Sequence, residues 1–301
     1  MSEKNSAYRD KYARSDLACE TRPPTDNASG VITAHRESHG FELAELTITD
    51  EASAEAVGRP IGRYVTAYIG KIWLEGDKRM RDAAELVSSE LTAFVESALD
   101  GKRLRDSCIM FAGLGNRFIT ADALGPLTAD KLTVTRHMMD GGGFFDRLGC
   151  SRLCAVMPGV LGQTGIEAAH IIRGAAEAAR PDAVIAVDAL AARSTERLFT
   201  TVQLSDSGIC PGSGIGNRRL AINSESVGCP VIALGVPTVV DSSTLVWDAL
   251  EQAGIEEVSD SLRTVLDSGQ SFFVSLKECD VIIDEVSALL ADAVGTCAGV
   301  V

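Results

Sequence analysis

The stretch RPDAVIAVDALAAR (180–193) holds an unbroken apolar run from Ala183 to Val187 and then an aspartate, Asp188. A run so short and so uniformly apolar, between polar flanks, reads as a strand buried on both faces. Three more such runs occur: CIMFAG (108–113), RLCAVM (152–157) and PVIALG (230–235). Segments with helical spacing lie between or after them, at about 122–139, 165–180 and 239–253. Buried runs alternating with helices predict the α/β class, with a mainly parallel twisted sheet covered by helices on both faces.

Outward from this core the pattern loosens. FELAELTITD (41–50) and GRYVTAYIG (62–70) alternate in part and read as strands. A helix is expected at about 77–99, where Leu86, Val87, Leu91, Phe94, Val95 and Ala98 recur at three and four and Gly101 follows. TTVQLSDSGICPGSGIGN (200–217) reads as a strand and a long glycine-rich loop, and the chain ends with a short strand, SFFV, and a helix at about 278–295. The N-terminal MSEKNSAYRDKYARSD is polar and lacks apolar periodicity, and TRPPTDNASG (21–30) is loop-like. The expected organisation is an arm, 1–16, and a single α/β domain, 17–301.

Composition narrows the function. The chain has 301 residues, 46% hydrophobic and 23% charged, with a formal net charge of −14. An acidic surface repels phosphate backbones and anionic lipid, so neither nucleic acid nor membrane is an expected partner. No apolar run reaches the length of a bilayer span, and the N-terminus lacks the apolar stretch of a signal peptide. A cytoplasmic location follows as an expectation. The eight cysteines form no C-x-x-C pair and fall mostly in apolar runs, which suits reduced thiols in or near the core. Cys150 and Cys154 are four apart without a matching second pair.

In parallel α/β sheets, sites form beyond the carboxyl ends of strands. Asp122 stands there, in TADALGP after the glycine turn of CIMFAGLGN, and so does Asp188. Each has an ordinary alternative. Asp122 could cap the next helix, with Thr120 as the rival cap, and Asp188 could cap a helix or pair with Arg193. Two carboxyls sharing a site titrate apart, so that one acts as base and the other as acid. Such a pair activates water against a peptide carbonyl with neither a metal nor a covalent intermediate. Asp206 and Asp241 also end apolar runs and are candidates for a supporting role. PGSGIGN (211–217) lacks the Lys-Ser/Thr ending of a P-loop, and Ser213 is not in a G-x-S-x-G elbow. The histidines, His35, His39, His137 and His170, form no H-E-x-x-H. No cofactor or metal is therefore expected, and the alternative is a metal-dependent maturation peptidase with Asp122 and Asp188 as ligands.

These segments resemble the germination proteases of spore-forming bacteria. The matching pieces run in order: RSDLACE (14–20), GLGN (113–116), TADALGP (120–126), TRHMM (135–139), PGVLGQTGIE (158–167), RPDAVIAVDALAAR, TTVQLSDSGICPGSGIGN and GCPVIALGVPTVVD (228–241). The closing KECDVIIDEVSALLADAV (277–294) is similar to the family's last helix, while the chain is shorter than the family between about 252 and 268. The resemblance implies an atypical aspartic endopeptidase with a fold similar to hydrogenase-maturation peptidases. It implies a homotetramer in the forespore or spore core, made as a zymogen that removes its own N-terminal arm. It implies small acid-soluble spore proteins as substrates, degraded at germination. The family's catalytic aspartates fall on Asp122 and Asp188. In the family, cleavage follows an acidic residue and precedes an apolar residue and then Ala, so the resemblance places a processing site at Asp16 and Leu17. An arm without apolar periodicity is expected to be accessible to cleavage.

Overall fold

The computed structural model describes residues 15–21, 29–141, 149–212, 219–255, 259–267 and 272–300. The first fourteen residues of the expected arm, most of the 21–30 loop and the glycine-rich 213–218, with Ser213, lie outside them.

The apolar runs become strands of one sheet. In chain order these are β1 (Val31–Ser38), β2 (Phe41–Ile48), β3 (Gly62–Tyr68), β4 (Cys108–Gly113), β5 (Arg152–Val156), β6 (Ala183–Ala192), β7 (Thr201–Ser205), β8 (Val231–Asp241) and β9 (Phe273–Val274). The helices are α1 (Glu51–Val57), α2 (Asp77–Ala98), α3 (Leu124–Lys131), α4 (Leu161–Thr164), α5 (Ala168–Ala179), α6 (Ser224–Val227), α7 (Ser242–Gln252), α8 (Asp260–Asp267) and α9 (Cys279–Cys297). Across the sheet the strands run β1-β2-β3-β7-β8-β6-β4-β5, with β9 paired to β8.

The expected α/β class is observed, and the sheet is mixed. β8, β6, β4 and β5 are parallel neighbours. From β8 outward through β7, β3, β2 and β1 every pairing is antiparallel. Hairpin-type connections need only short turns, whereas parallel neighbours need crossovers, and the helical segments that supply crossovers lie beside the parallel strands.

Both faces of the parallel region are covered. Ile109 and Phe111 of β4 and Ile185 and Val187 of β6 pack under α2, α3 and α9, with Leu91, Phe94, Val286 and Leu290 buried against them. The alternate residues Met110, Ala112, Val184 and Ala186 pack under Ala169, Ile172 and Ala176 of α5. This two-sided burial is why these strands read as continuous apolar runs.

Several boundaries differ from expectation: the helix expected at about 122–139 spans only Leu124–Lys131, with a separate 3₁₀ turn at Arg136–Gly141. β6 continues past Val187 to Ala192 and β8 past Gly235 to Asp241, because the two strands stay paired as far as Ala192 and Val240 across a register shift at Leu190/Ala191. Asp188 therefore lies within a strand, and the helix expected from 239 begins at Ser242. β1 was not legible as a strand: VITAHRES is largely solvent-facing and forms the sheet edge by pairing with β2.

The cysteines are free thiols; Cys108, Cys279 and Cys297 are buried and the others partly so. Among the described residues no helix is long and apolar enough to cross a membrane.

Candidate active site

Asp122 ends a 3₁₀ turn, Thr120–Asp122, between β4 and α3. It is not the side-chain cap of α3, whose N-cap position is Ala123 and carries no side-chain cap bond. Instead the carboxylate turns back on its own loop, where the Asn116 N–H donates to Asp122 Oδ2 at 2.8 Å. That loop is built on close backbone contact. Gly115 takes φ +106°, and a Cβ there would lie 2.0 Å from the Asp122 carbonyl oxygen. Gly125 lets the start of α3 press on the strand ends, since a Cβ on it would lie 2.4 Å from Leu114 N and 2.6 Å from Val187 O. From β8, Thr238 Oγ1 donates to Ala121 O at 2.6 Å.

Asp188 faces the same side of β6 as Val184 and Ala186, by strand alternation. It is 5% exposed and accepts from the Ala189 N–H at 2.9 Å. It is no helix cap, and Arg193, its candidate ion-pair partner, lies 3.4 Å from Asp248 instead.

Asp122 and Asp188 line one cavity of about 370 Å³, together with Asp16, Glu167, Arg219 and Phe273. Burial pushes the Asp122 carboxyl up to about 6, against the pull of the Asn116 N–H. Asp188 is raised well above the ordinary aspartate value, first by burial, then by Asp122 and then by Asp16. Asp122 is thus the more easily ionised of the two, and Asp188 the more readily held in its protonated form. A base and an acid then face one cavity, which suits hydrolysis by an activated water.

Asp16 reaches this cavity from the N-terminal side. Its N–H donates to Ala191 O at 2.8 Å, and its Oδ2 accepts from Ala191 N at 2.9 Å. Leu17 is 0% exposed within the main core, and Ala18 is 4% exposed. Glu20 accepts from Arg193 N at 2.7 Å and Ser194 N at 3.1 Å. The expectation of an accessible tail at Asp16–Leu17 is thus corrected. Leu17 has a core position to fill, and the acids on either side of it find backbone donors on and just beyond β6.

The other two aspartates are held elsewhere. Asp206 accepts from Arg63 N at 2.7 Å and steadies the start of β3. Asp241 caps α7, accepting from Ser243 N at 2.9 Å and Thr244 N at 3.3 Å. Neither lines the cavity. Among the described residues no group of three His, Cys, Asp or Glu is arranged to hold a metal ion.

Sequence reasoning missed the side chains that brace the site. Gln163 Nε2 donates to Asn116 Oδ1 at 2.6 Å and ties α4 to the Asp122 loop. Gln203 is 9% exposed in β7 and touches residues 16 and 18. A glutamine inside the apolar strand TVQLS was the available signal for the latter.

Comparison with known proteins identifies the family. A family described as germination protease matches residues 12–254. The germination protease of Priestia megaterium (strain ATCC 12872 / QMB1551) is 39% identical, over 85% of this chain and 71% of its own length. That of Caldanaerobacter subterraneus subsp. tengcongensis is 42% identical, over 82% and 75%. That of Bacillus cereus (strain G9842) is 37% identical, over 95% and 81%. Among solved structures, the NiFe hydrogenase maturation protease HycI of Thermococcus kodakarensis KOD1 is similar at 17% identity and TM-score 0.33, covering 66% of this chain and 97% of that one. With a matched family that spans most of the sequence and relatives near 40% identity, the chain belongs to the germination protease family.

Proposed function

We propose that the chain is an aspartic-type endopeptidase that starts the degradation of small acid-soluble spore proteins at germination. It is made as a zymogen that cuts itself between Asp16 and Leu17. One observation carries this reading: Asp122 and Asp188, both with raised carboxyls, share a cavity with the acid that precedes the proposed cut. Asp122 takes a proton from water as the water attacks the carbonyl carbon. Asp188 gives its proton to the departing amine. Membership of the family supports a germination-related protease acting on protein. A homotetramer in the spore core completes the proposal.

The test is incubation of the purified chain with a small acid-soluble spore protein, followed by mass spectrometry of the fragments. Cleavage after acidic residues, unchanged by exhaustive chelation, is the expected result. Loss of cleavage on chelation, restored by one metal, would replace this reading with a metallopeptidase.

A further inference from the structure

The carbonyl oxygen of Asp16, which belongs to the Asp16–Leu17 peptide bond, has two donors among the described residues. Arg59 Nη1 donates to it at 3.0 Å and Gln203 Nε2 donates to it at 3.0 Å. The direction of the Gln203 amide is fixed by its other end, because Oε1 accepts from the Ala18 N–H at 2.5 Å. The nitrogen therefore faces Asp16 O. Arg59 is steadied in turn, donating through Nε to Thr21 Oγ1 at 2.7 Å and through Nη2 to Ser15 O at 3.3 Å. Among the described residues no carboxylate lies within ion-pair distance of its guanidinium. Asp16 and Glu20 act on its charge only from beyond contact distance.

We propose that Arg59 and Gln203 form the oxyanion hole for cleavage of the Asp16–Leu17 bond. The inference rests on the self-processing reading above and adds the groups that hold the reacting oxygen. In the step, the oxygen of water bonds to the Asp16 carbonyl carbon, and a proton of that water passes to the ionised carboxylate. The carbonyl π pair moves onto oxygen, which becomes the oxyanion between Arg59 and Gln203. When the pair returns, the C–N bond breaks and Leu17 N takes a proton from the carboxylic acid. The products are a carboxylic acid on Asp16 and an amine on Leu17, which become a carboxylate and an ammonium by passing that proton between them; one water is consumed, and the catalytic pair has exchanged its proton. Donors already about 3 Å from the oxygen need no reorganisation as charge develops, and each such donor is worth roughly 10²–10³ in rate. A guanidinium gains more from an oxyanion than from a neutral carbonyl, because both partners are then charged.

The remaining geometry restrains the same residue at its other atoms. Ala191 holds the Asp16 backbone N–H and the carboxylate, while Arg59 and Gln203 hold the carbonyl. Leu17, sunk in the core, fixes the far side of the bond.

The experiment follows the appearance of a Leu17 N-terminus by intact mass in the full-length chain, as a function of pH. The variants are Gln203→Met, Arg59→Met and Gln203→Glu. The glutamate keeps the acceptor for Ala18 N and the side-chain size. As a carboxylate it cannot donate, but as a carboxylic acid it can. The methionine variants should process at least about 100-fold more slowly than wild type. The ratio of Gln203→Glu to wild type should recover as pH falls through the glutamate titration, while the ratio for Gln203→Met stays flat. If wild type processes and the methionine variants keep pace within threefold, the oxyanion hole is refuted and self-processing stands. If Gln203→Glu is slow at every pH and the amides of residues 15–21 lose hydrogen-exchange protection, Gln203 is an anchor and the inference fails. If wild type itself yields no Leu17 terminus, the self-processing reading fails and takes this inference with it.

Discussion

Four aspartates are candidates for the site by their place after apolar runs, and the fold treats them as two pairs. Asp206 and Asp241 each meet backbone N–H groups that a nearby element leaves open, at the start of β3 and at the N-terminus of α7. Asp122 and Asp188 instead converge on one cavity, and both are raised chiefly by burial. The first pair does what aspartates do at element ends throughout folded proteins. The second pair carries a desolvation cost that its hydrogen bonds do not offset. Position at a strand end is therefore a weak sign of chemistry, and a buried carboxyl whose neighbour is another carboxyl is a stronger one.

The largest effect that separates the pairs is catalytic. Asp122→Asn and Asp188→Asn should each lower peptidase activity by roughly 10²–10⁴-fold, because Asn keeps the shape and removes the titrating group. Asp206→Asn should leave activity within a factor of about two, since it sits outside the cavity and retains the oxygen that Arg63 N contacts. Rates on a spore protein substrate, with circular dichroism to verify folding, decide the matter. Near-wild-type cleavage by either cavity variant would dissolve the distinction.

Stability should respond with opposite signs. Asp188 has a raised folded pKa, so its carboxyl favours the folded state at pH below the ordinary aspartate value. That contribution is lost as pH rises through the folded pKa. Asparagine does not ionise and escapes the loss. Asp188→Asn should therefore melt above wild type at neutral pH, with the gap closing as pH falls towards about 4. Asp241→Ala should melt lower, because it removes the cap of α7 and costs about 1 kcal/mol. Thermal melts of both variants at pH 4 and pH 7 test the contrast, and a destabilised Asp188→Asn at neutral pH would contradict it.

The two pairs also mark what the sequence can carry. The strands around Asp188 were legible because burial on both faces makes AVIAV and CIMFAG uniformly apolar, and their shortness between polar or glycine flanks favours strand over helix. The antiparallel side was less legible. VITAHRES in β1 is mostly solvent-facing, so its hydropathy resembles a loop and only pairing with β2 defines it. Candidate site residues were legible by place in the topology, but their partners were not. The Asn116 N–H comes from the loop after β4 and Gln163 from α4, and the two meet only after folding. The docking of Asp16–Leu17 was invisible for the same reason: a short segment with a single large apolar residue has no periodicity, yet Leu17 fills a core site.

The smallest effect concerns how finely the Asp122 carboxyl is set. Gln163 holds Asn116 Oδ1 at 2.6 Å, and Phe118 N donates to the same oxygen at 3.0 Å. Together they fix the turn that aims the Asn116 N–H at Asp122. That hydrogen bond favours the carboxylate and limits the rise that burial imposes, so that the carboxyl is raised to about 6. Gln163→Met removes one of the two restraints and leaves the N–H itself in place, so the bond loosens without being lost. The carboxyl should then titrate higher, and the acid limb of the activity profile should move to higher pH. The shift should be a few tenths of a unit, since a whole unit would need about 1.4 kcal/mol and a partly exposed side-chain contact supplies less. Asp206→Asn, which changes a carboxylate of the other pair, should leave that limb where it is. Activity measured from pH 5 to 8 for wild type and both variants gives the answer. A limb that moves to lower pH in Gln163→Met, or that moves equally in Asp206→Asn, would show that the Asp122 carboxyl is set by something other than its own loop.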